Sequence, residues 1–215
     1  LRNPLAALHS NLGYLASVLE NRTEAEEEEA LRDAQISCDG LGRLIDSVEV
    51  LAYALNPPRS LDRGSVDAVR AIEEAIALCK PQAESYDVAV VLTPGDHKGD
   101  VRTSRSMLTR SIAYLVSNAV QHSPAQGEVT VSVERSDDAR VVISVSDRGT
   151  SFDAGSTHEA FTPRGQIDSK STPRGRYGRG LGLMCAQVCA DAAGATLSVA
   201  EADSGNRFLL SLPIA

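Results

Sequence analysis

Three short segments of this 215-residue sequence combine residue types that could bind a charged ligand. The first contains Asn118, which interrupts the amphipathic run Leu115-Val-Ser-Asn-Ala-Val-Gln-His122 although asparagine is a poor residue for a helix interior. Its carboxamide oxygen is the kind of ligand that Mg2+ accepts beside water and phosphate oxygens. Taken alone, the plainer interpretation is an exposed asparagine near a helix end.

The second segment places Asp147 at the end of the apolar run 141–145, in Val145-Ser-Asp-Arg-Gly149. A carboxylate at the end of a buried strand can face a cleft and accept the exocyclic N–H of an adenine. Gly149 lets the chain turn and approach a ligand closely, because it has no side chain. Asp-X-Gly is also a common turn, which is the alternative here.

The third segment, Gly178-Arg-Gly-Leu-Gly-Leu183, precedes an apolar helical run. Alternating glycines before a helix N-terminus leave backbone N–H groups directed at whatever binds there, which suits a phosphate. The spacing matches neither the dinucleotide fingerprint G-x-G-x-x-G nor a P-loop. A solvated glycine-rich loop is the other interpretation.

The N-terminal quarter of the chain has a different pattern from the rest. Apolar residues recur in alternating steps of three and four over 1–19 and again over 31–55, which is a heptad repeat. We expect an antiparallel helical hairpin over 1–56 that pairs in a dimeric four-helix bundle. The prolines of Asn56-Pro57-Pro58 then break the helix, so that 57–65 is predicted to be a linker.

Residues 66–215 alternate between helical and strand patterns, which predicts helices packed on a sheet. The predicted fold class is therefore α+β, with a helical hairpin followed by an α/β sandwich. The predicted elements are helices over 66–80, 105–121 and 181–193, and strands over 87–92, 129–133, 141–145, 195–200 and 207–212.

Composition excludes several functional classes. A net charge of -8, no Trp and only 3 Phe argue against nucleic-acid binding, which uses basic surfaces and aromatic platforms. No apolar run approaches the roughly 20 residues of a membrane span, so we expect no membrane contact within this chain. The start at Leu1, without a signal sequence, suggests a piece of a longer protein. The 4 cysteines lack metal-ligand spacing and are predicted to be core thiols in a reducing compartment.

The order and spacing of the three segments resemble the N, G1 and G2 boxes of sensor histidine kinases. Their ATP-binding domain belongs to a superfamily shared with type II topoisomerases, heat-shock chaperone ATPases and mismatch-repair ATPases. Leu1-Arg-Asn-Pro-Leu-Ala-Ala7 looks like the tail of the family's H box, and Gly205-Asn-Arg-Phe-Leu-Leu-Ser-Leu-Pro213 is similar to its last strand. The resemblance covers essentially the whole chain.

The resemblance implies roles for individual residues. Asn118 would hold Mg2+, and Asp147 would bind the adenine of ATP with Gly149 beside it. A flexible lid would span 162–177, with Lys170, Arg174 and Arg176 near the triphosphate. The remaining residues that the resemblance implies for ATP binding are His122, Phe161, Gly178, Arg179, Gly180, Leu181 and Gly182.

The resemblance also implies an activity and partners. The γ-phosphoryl group of ATP would pass to a histidine just ahead of Leu1, and then to an aspartate of a response-regulator receiver domain. His9 lies ten residues beyond the expected position and is no substitute. Asn3 matches the position that helps to dephosphorylate the receiver. The protein would be a homodimer through residues 1–56 and cytoplasmic, with or without a membrane anchor elsewhere.

Three positions depart from the family pattern. Tyr114 replaces a usual Asn, Gln121 a usual Lys, and Ser151 the second glycine of D-x-G-x-G. One alternative function is therefore a pseudokinase or scaffold that binds receiver domains without ATP turnover. Another is an ATPase clamp that dimerises when ATP binds.

Overall fold

The structure is a computed structural model of the single chain, and it describes residues 24–56, 62–93, 95, 100–136, 139–149, 161, 181–202 and 204–215. The chain forms two compact units, Leu1–Glu49 and Val50–Ala215. The predicted domain limits at 56 and 66 remain predictions.

The long helix α1 runs over Glu24–Leu55, as the heptad pattern predicts for its second run. Ile45 and Val48, both on the predicted seam, are 50% and 51% exposed in the single chain. Cys38 lies on the same stripe seven residues before Ile45 and is also exposed, so the prediction that all four cysteines are core residues is wrong for this one. The predicted first helix of the hairpin lies outside the described residues.

The second unit is built on a five-stranded sheet and a separate two-stranded sheet. In chain order the elements are β1 (Gly64–Asp67), α2 (Ala68–Ser85), β2 (Val88–Thr93), β3 (Asp100–Thr103), α3 (Arg105–His122), β4 (Gly127–Arg135), β5 (Arg140–Ser146), α4 (Gly182–Ala193), β6 (Thr196–Ala200) and β7 (Arg207–Pro213). The five-stranded sheet has the strand order β2-β4-β5-β7-β6, and of its described pairs only β2–β4 is parallel. The two-stranded sheet pairs β1 with β3.

The core of this unit lies between α2, α3 and α4 and one face of the five-stranded sheet. Alternate residues of β4 and β5 point into it, because successive side chains of a strand face opposite sides. The largest fully buried side chains are Phe208, Ile72, Leu108, Ile112, Leu115, Ile143, Leu183, Leu210 and Leu212. The α+β fold class and the helix-on-sheet sandwich are confirmed.

Two short strands were not predicted, and one helix has different limits. Val66 belongs to β1, where it pairs with Val101 of β3, so the helix predicted from residue 66 begins only at Ala68. The Asp67 side chain caps this helix by accepting a hydrogen bond from the Arg70 amide at 3.2 Å. The helix also continues through Pro81 to Ser85, because its final turns are buried in the core.

Of the helices in the described ranges, none combines the length and the apolar character that crossing a membrane requires.

Candidate nucleotide-binding site

Asp147 follows the last residue of β5 and is only 3% exposed. Its Oδ1 atom accepts a hydrogen bond from the backbone N–H of Gly149 at 2.8 Å and another from Asn206 Nδ2 at 3.2 Å. The Oδ2 atom has a longer contact of 3.4 Å with the same Nδ2. The two carboxylate oxygens are therefore unequally satisfied, and Oδ2 retains capacity to accept a strong hydrogen bond.

The electrostatics of Asp147 are unusual for a structural carboxylate. Burial removes it from water and raises its pKa above the ordinary value. The hydrogen bonds from Gly149 and Asn206, together with the nearby charge of His122, lower the pKa again but do not cancel the effect of burial. A buried carboxyl group with a perturbed pKa is a typical feature of a functional site.

Gly149 brings the loop after β5 against the end of α3. A Cβ atom at this position would lie 2.4 Å from the backbone oxygen of His122, so no other residue fits without moving the backbone. His122 is the last residue of α3 and is exposed. The structure thus brings together Asp147, Gly149 and His122, three residues that the sequence predicted for one site.

Asn118 lies one turn before His122 on the same helix and is partly buried. Its Nδ2 atom is buried and has no hydrogen-bond partner among the described residues. Leaving a buried polar group unpaired costs on the order of 1–3 kcal/mol, so this position favours a polar ligand. The plainer alternative, an exposed surface asparagine, does not fit this burial.

A magnesium ion fits this side chain only as one ligand among several. Mg2+ is usually held by one or two protein oxygens together with phosphate oxygens and water. In the part of the chain that the structure describes, no cluster of three or more His, Cys, Asp or Glu side chains could hold a metal ion. The single carboxamide oxygen of Asn118 suits a metal that arrives with a phosphorylated ligand.

Helix α4 runs antiparallel to α3, which brings its start to the Asn118 end. Thr103, just ahead of α3, donates a hydrogen bond to the oxygen of Ala193 at the end of α4. Further along α3, Ser111 donates to the oxygen of Ala186. Asn118 lies beyond Ser111 along α3, so it is on the half of α3 that runs toward the start of α4.

The start of α4 lies at Gly182. Leu181 precedes the helix, and its side chain makes no capping hydrogen bond. The first turn contains no acidic residue. The positive end of the helix dipole suits an anion such as a phosphate.

The other predicted site residues stand as follows. Phe161 is partly buried and packs against the main core, while Leu181 and Gly182 form the start of α4. Asn3, Gly178, Arg179, Gly180 and the predicted lid over 162–177 lie outside the described residues. Their roles stay predictions.

Asn206 belongs to the site, although no motif predicted it. It is 4% exposed and lies immediately before β7, which is the neighbour of β5 in the sheet. In the sequence it follows Ser204-Gly205, a typical turn, and only the pairing of β5 with β7 brings it to Asp147. The one available signal was the resemblance of the segment from Gly205 to the last strand of the histidine kinase family.

These residues lie on a sheet covered by three helices, where a buried carboxylate and a glycine turn meet the end of α3. A fold and site of this kind define a nucleotide-binding domain. Residues 103–215, about half of the chain, match the family described as histidine kinase-, DNA gyrase B-, and HSP90-like ATPase. The chain belongs to this family.

Relatives with curated names are sensor proteins. The alginate biosynthesis sensor protein KinB of Pseudomonas aeruginosa is 25% identical over 215 residues, which cover 100% of this chain and 35% of the relative. The sensor protein IrlS of Burkholderia pseudomallei is 27% identical over 214 residues, covering 99% of this chain and 45% of the relative. The chain thus spans a third to a half of the length of these relatives.

A solved structure of the histidine kinase ThkA in complex with the response regulator protein TrrA has the same fold. It superimposes with a TM-score of 0.66 over 100% of this chain and 58% of the compared one, at 19% sequence identity. At this identity the similarity supports the fold alone.

Proposed function

We propose that the chain is the core of a two-component sensor histidine kinase. In this proposal, residues 66–215 bind Mg-ATP, and residues 1–56 form the helical hairpin through which the protein dimerises. The γ-phosphoryl group passes to a histidine just upstream of Leu1 and then to an aspartate of a response regulator.

The observation that carries the proposal is Asp147. A buried carboxylate costs stability, and here the hydrogen bonds from Gly149 and Asn206 do not fully offset the cost of burial. Its less satisfied oxygen is a strong acceptor for the exocyclic amine of adenine. A group kept in an unfavourable state by the fold is best explained by what it binds.

The phosphate side of the nucleotide is assigned to the start of α4. The amide groups beginning at Gly182 donate hydrogen bonds without competition from a side-chain cap in the described residues. Asn118, on the half of α3 that runs toward this end of α4, offers one carboxamide ligand for Mg2+. When bound, that ion neutralises phosphate charge and orients the γ-phosphoryl group.

Phosphoryl transfer needs positioning more than covalent chemistry from the protein. An imidazole nitrogen of the upstream histidine would attack the γ-phosphorus as the bond to the ADP oxygen breaks. The match to the histidine kinase-like ATPase family supports this activity, and the ThkA complex supports a response regulator as partner. The heptad pattern and the exposed apolar stripe of α1 support the homodimer.

A scaffold without ATP turnover is the second candidate function. It draws on Tyr114, Gln121 and Ser151, of which Ser151 lies outside the described residues. Tyr114 packs against the cluster that contains Cys185 and Cys189, so this departure from the family pattern has a structural role. A nucleotide-driven clamp differs from both, because it would dimerise only with ATP, whereas the proposed bundle is dimeric without it.

Isothermal titration calorimetry with Mg-ATP tests the proposal on the chain itself. We expect binding in the micromolar range, on the order of -8 kcal/mol. Asp147→Asn should weaken it roughly 10- to 100-fold, since a hydrogen bond to a charged group is lost. Asp62→Asn, the same charge change at an exposed position, should leave it unchanged. No binding by the unaltered chain would favour the scaffold, and equal binding by Asp147→Asn would overturn the site assignment.

A further inference from the structure

Asn206 makes the only side-chain hydrogen bonds to Asp147 within the described part of the chain. Its Nδ2 atom lies 3.2 Å from Oδ1 and 3.4 Å from Oδ2, so that one amide group spans both carboxylate oxygens. Both side chains are almost completely buried. A buried amide in this position fixes the rotation of the carboxylate as well as its charge.

The backbone holds the two residues together. The Asp147 N–H donates a hydrogen bond to the Asn206 carbonyl at 3.0 Å, one step beyond the pairing of Ser146 with Arg207. The preceding Gly205 has a φ of 72°, and a Cβ there would lie 1.9 Å from the backbone carbonyl oxygen of Asp147. The chain is thus built to bring the Asn206 amide against the carboxylate and leaves no room for another residue at 205.

Among the described residues, His122 at the end of α3 is the group whose charge acts on Asp147. Arg148, which follows Asp147, and Arg207, which follows Asn206, are both exposed. Burial raises the pKa of Asp147, whereas the Asn206 and Gly149 hydrogen bonds lower it. An amide N–H donates to a carboxylate at every pH, because the amide itself does not titrate in this range.

We propose that Asn206 is a positioning residue that determines base specificity: it holds Asp147 as an ionised acceptor, so that the site takes a purine with a 6-amino group and rejects one with a 6-oxo group. This inference rests on the proposed function, since it concerns the same nucleotide. It adds a residue that acts through Asp147 without itself being required to touch the base.

The specificity follows from the protonation state of one carboxyl group. An ionised carboxylate only accepts hydrogen bonds, so it pairs with the 6-amino group of ATP and repels the 6-oxo group of inosine triphosphate. A protonated carboxyl group can donate to the 6-oxo group instead. Removing the Asn206 amide favours the protonated form, because burial then acts with one fewer opposing hydrogen bond.

The experiment compares dissociation constants of Mg-ATP and Mg-inosine triphosphate at pH 6, 7 and 8 for the unaltered chain, Asn206→Leu and Asn206→Thr. Leucine has a similar volume and no donor, whereas threonine keeps a hydroxyl donor. We expect Asn206→Leu to bind ATP about tenfold more weakly and to lose about fivefold or more of the preference for ATP. Its preference should decline at a higher pH than in the unaltered chain. Asn206→Thr should restore part of the preference.

Each outcome supports or overturns the role. Equal weakening of both nucleotides at every pH, with the preference unchanged within about twofold, would show a merely structural residue and leave the proposed function intact. Absence of ATP binding by the unaltered chain would overturn the proposed function and this role with it. If Asn206→Leu does not fold, the carbon NMR titration of the Asp147 carboxyl in Asn206→Ala, which also lacks the donor, and in the unaltered chain decides, and an identical midpoint in both contradicts the proposal.

Discussion

The two ends of α4 are built in opposite ways. At its C-terminal end, the Arg63 guanidinium donates to the oxygen of Ala192 at 3.0 Å, and Thr103 donates to that of Ala193 at 2.8 Å. Gly194 ends the helix in the left-handed conformation, with a φ of 77°, and its own N–H bonds back into the last turn. These donors therefore form hydrogen bonds with the carbonyl groups that the end of a helix leaves unpaired.

The N-terminal end has none of these devices among the residues described. Leu181 supplies no side-chain hydrogen bond, and the first turn from Gly182 carries no acidic residue to complement the dipole. Within the described ranges, a Cβ at Gly182 would meet no atom within 4 Å. One end of the helix is thus used for stability and the other is left for a ligand, and changes at the two ends should separate binding from stability.

The largest effect should come from a charge placed at the open end. Gly182→Asp adds a carboxylate to the first turn, where it complements the helix dipole and repels a phosphate, so we expect Mg-ATP affinity to fall roughly 10- to 100-fold without loss of stability. Gly182→Asn has the same shape without the charge and is the matched control. Titration calorimetry and thermal unfolding measure the two quantities. An aspartate variant that binds ATP as well as the asparagine variant would remove the distinction between the ends.

Removal of the cap at the closed end should act on stability alone. Arg63→Ala leaves the last carbonyls of α4 without their cation, so the free energy of unfolding should decline by about 1 kcal/mol. ATP affinity should stay within about twofold. Arg102→Ala, another exposed arginine on a nearby strand, serves as the control in urea unfolding. A large loss of ATP affinity without loss of stability would contradict the division of roles between the two ends.

Burial of Asp147 should also make the free energy of unfolding depend on pH. Because the pKa of Asp147 is raised in the folded state, the folded chain holds a proton that the unfolded chain has already released. Stability should therefore decrease as the pH rises from the ordinary value of 3.8 through the raised one, and then level off. Urea unfolding over this range should show a flatter profile for Asp147→Asn. An unchanged slope would mean that the buried carboxylate has no cost to the fold.

The smallest effect concerns a buried hydroxyl away from the site. Thr109 Oγ1 and Asn118 Nδ2 are the two buried side-chain polar atoms without a partner in the described ranges. Thr109→Val keeps the shape and removes the unpaired hydroxyl, so it should raise the free energy of unfolding by about 0.5 kcal/mol and leave ATP affinity unchanged. Destabilisation would show that Thr109 has an unrecognised partner, and weaker ATP binding would place it in the site.

Local patterns predicted most of this architecture. The alternation in β4 and β5 and the apolar face of α3 are visible in single segments, because one side of each element is buried. The four-residue strands β1 and β3 have no such signal, and they form because Val66 and Val101 pair across more than thirty residues. Helix α2 passes Pro81 because burial of Gln82 and Ala83 outweighs the local preference for a break.

The candidate site divides in the same way. Asp147 and Gly149 were predictable, since a strand end followed by a glycine turn is a local feature. Asn206 was not, because it reaches Asp147 only through the pairing of β5 with β7. The unpaired amide of Asn118 likewise depends on how α3 is packed, which its own sequence does not specify.

The central claim is that Asp147 and the open start of α4 bind the two ends of one nucleotide. Titration of a 15N-labelled chain with Mg-ATP, followed by amide NMR, tests this most directly. We expect chemical-shift changes of the backbone amides of Gly149 and Asn206, together with those of Gly182 and the rest of the first turn of α4, and none at Gly194. Shifts at only one of these two places, or at Gly194 in preference to Gly182, would contradict it.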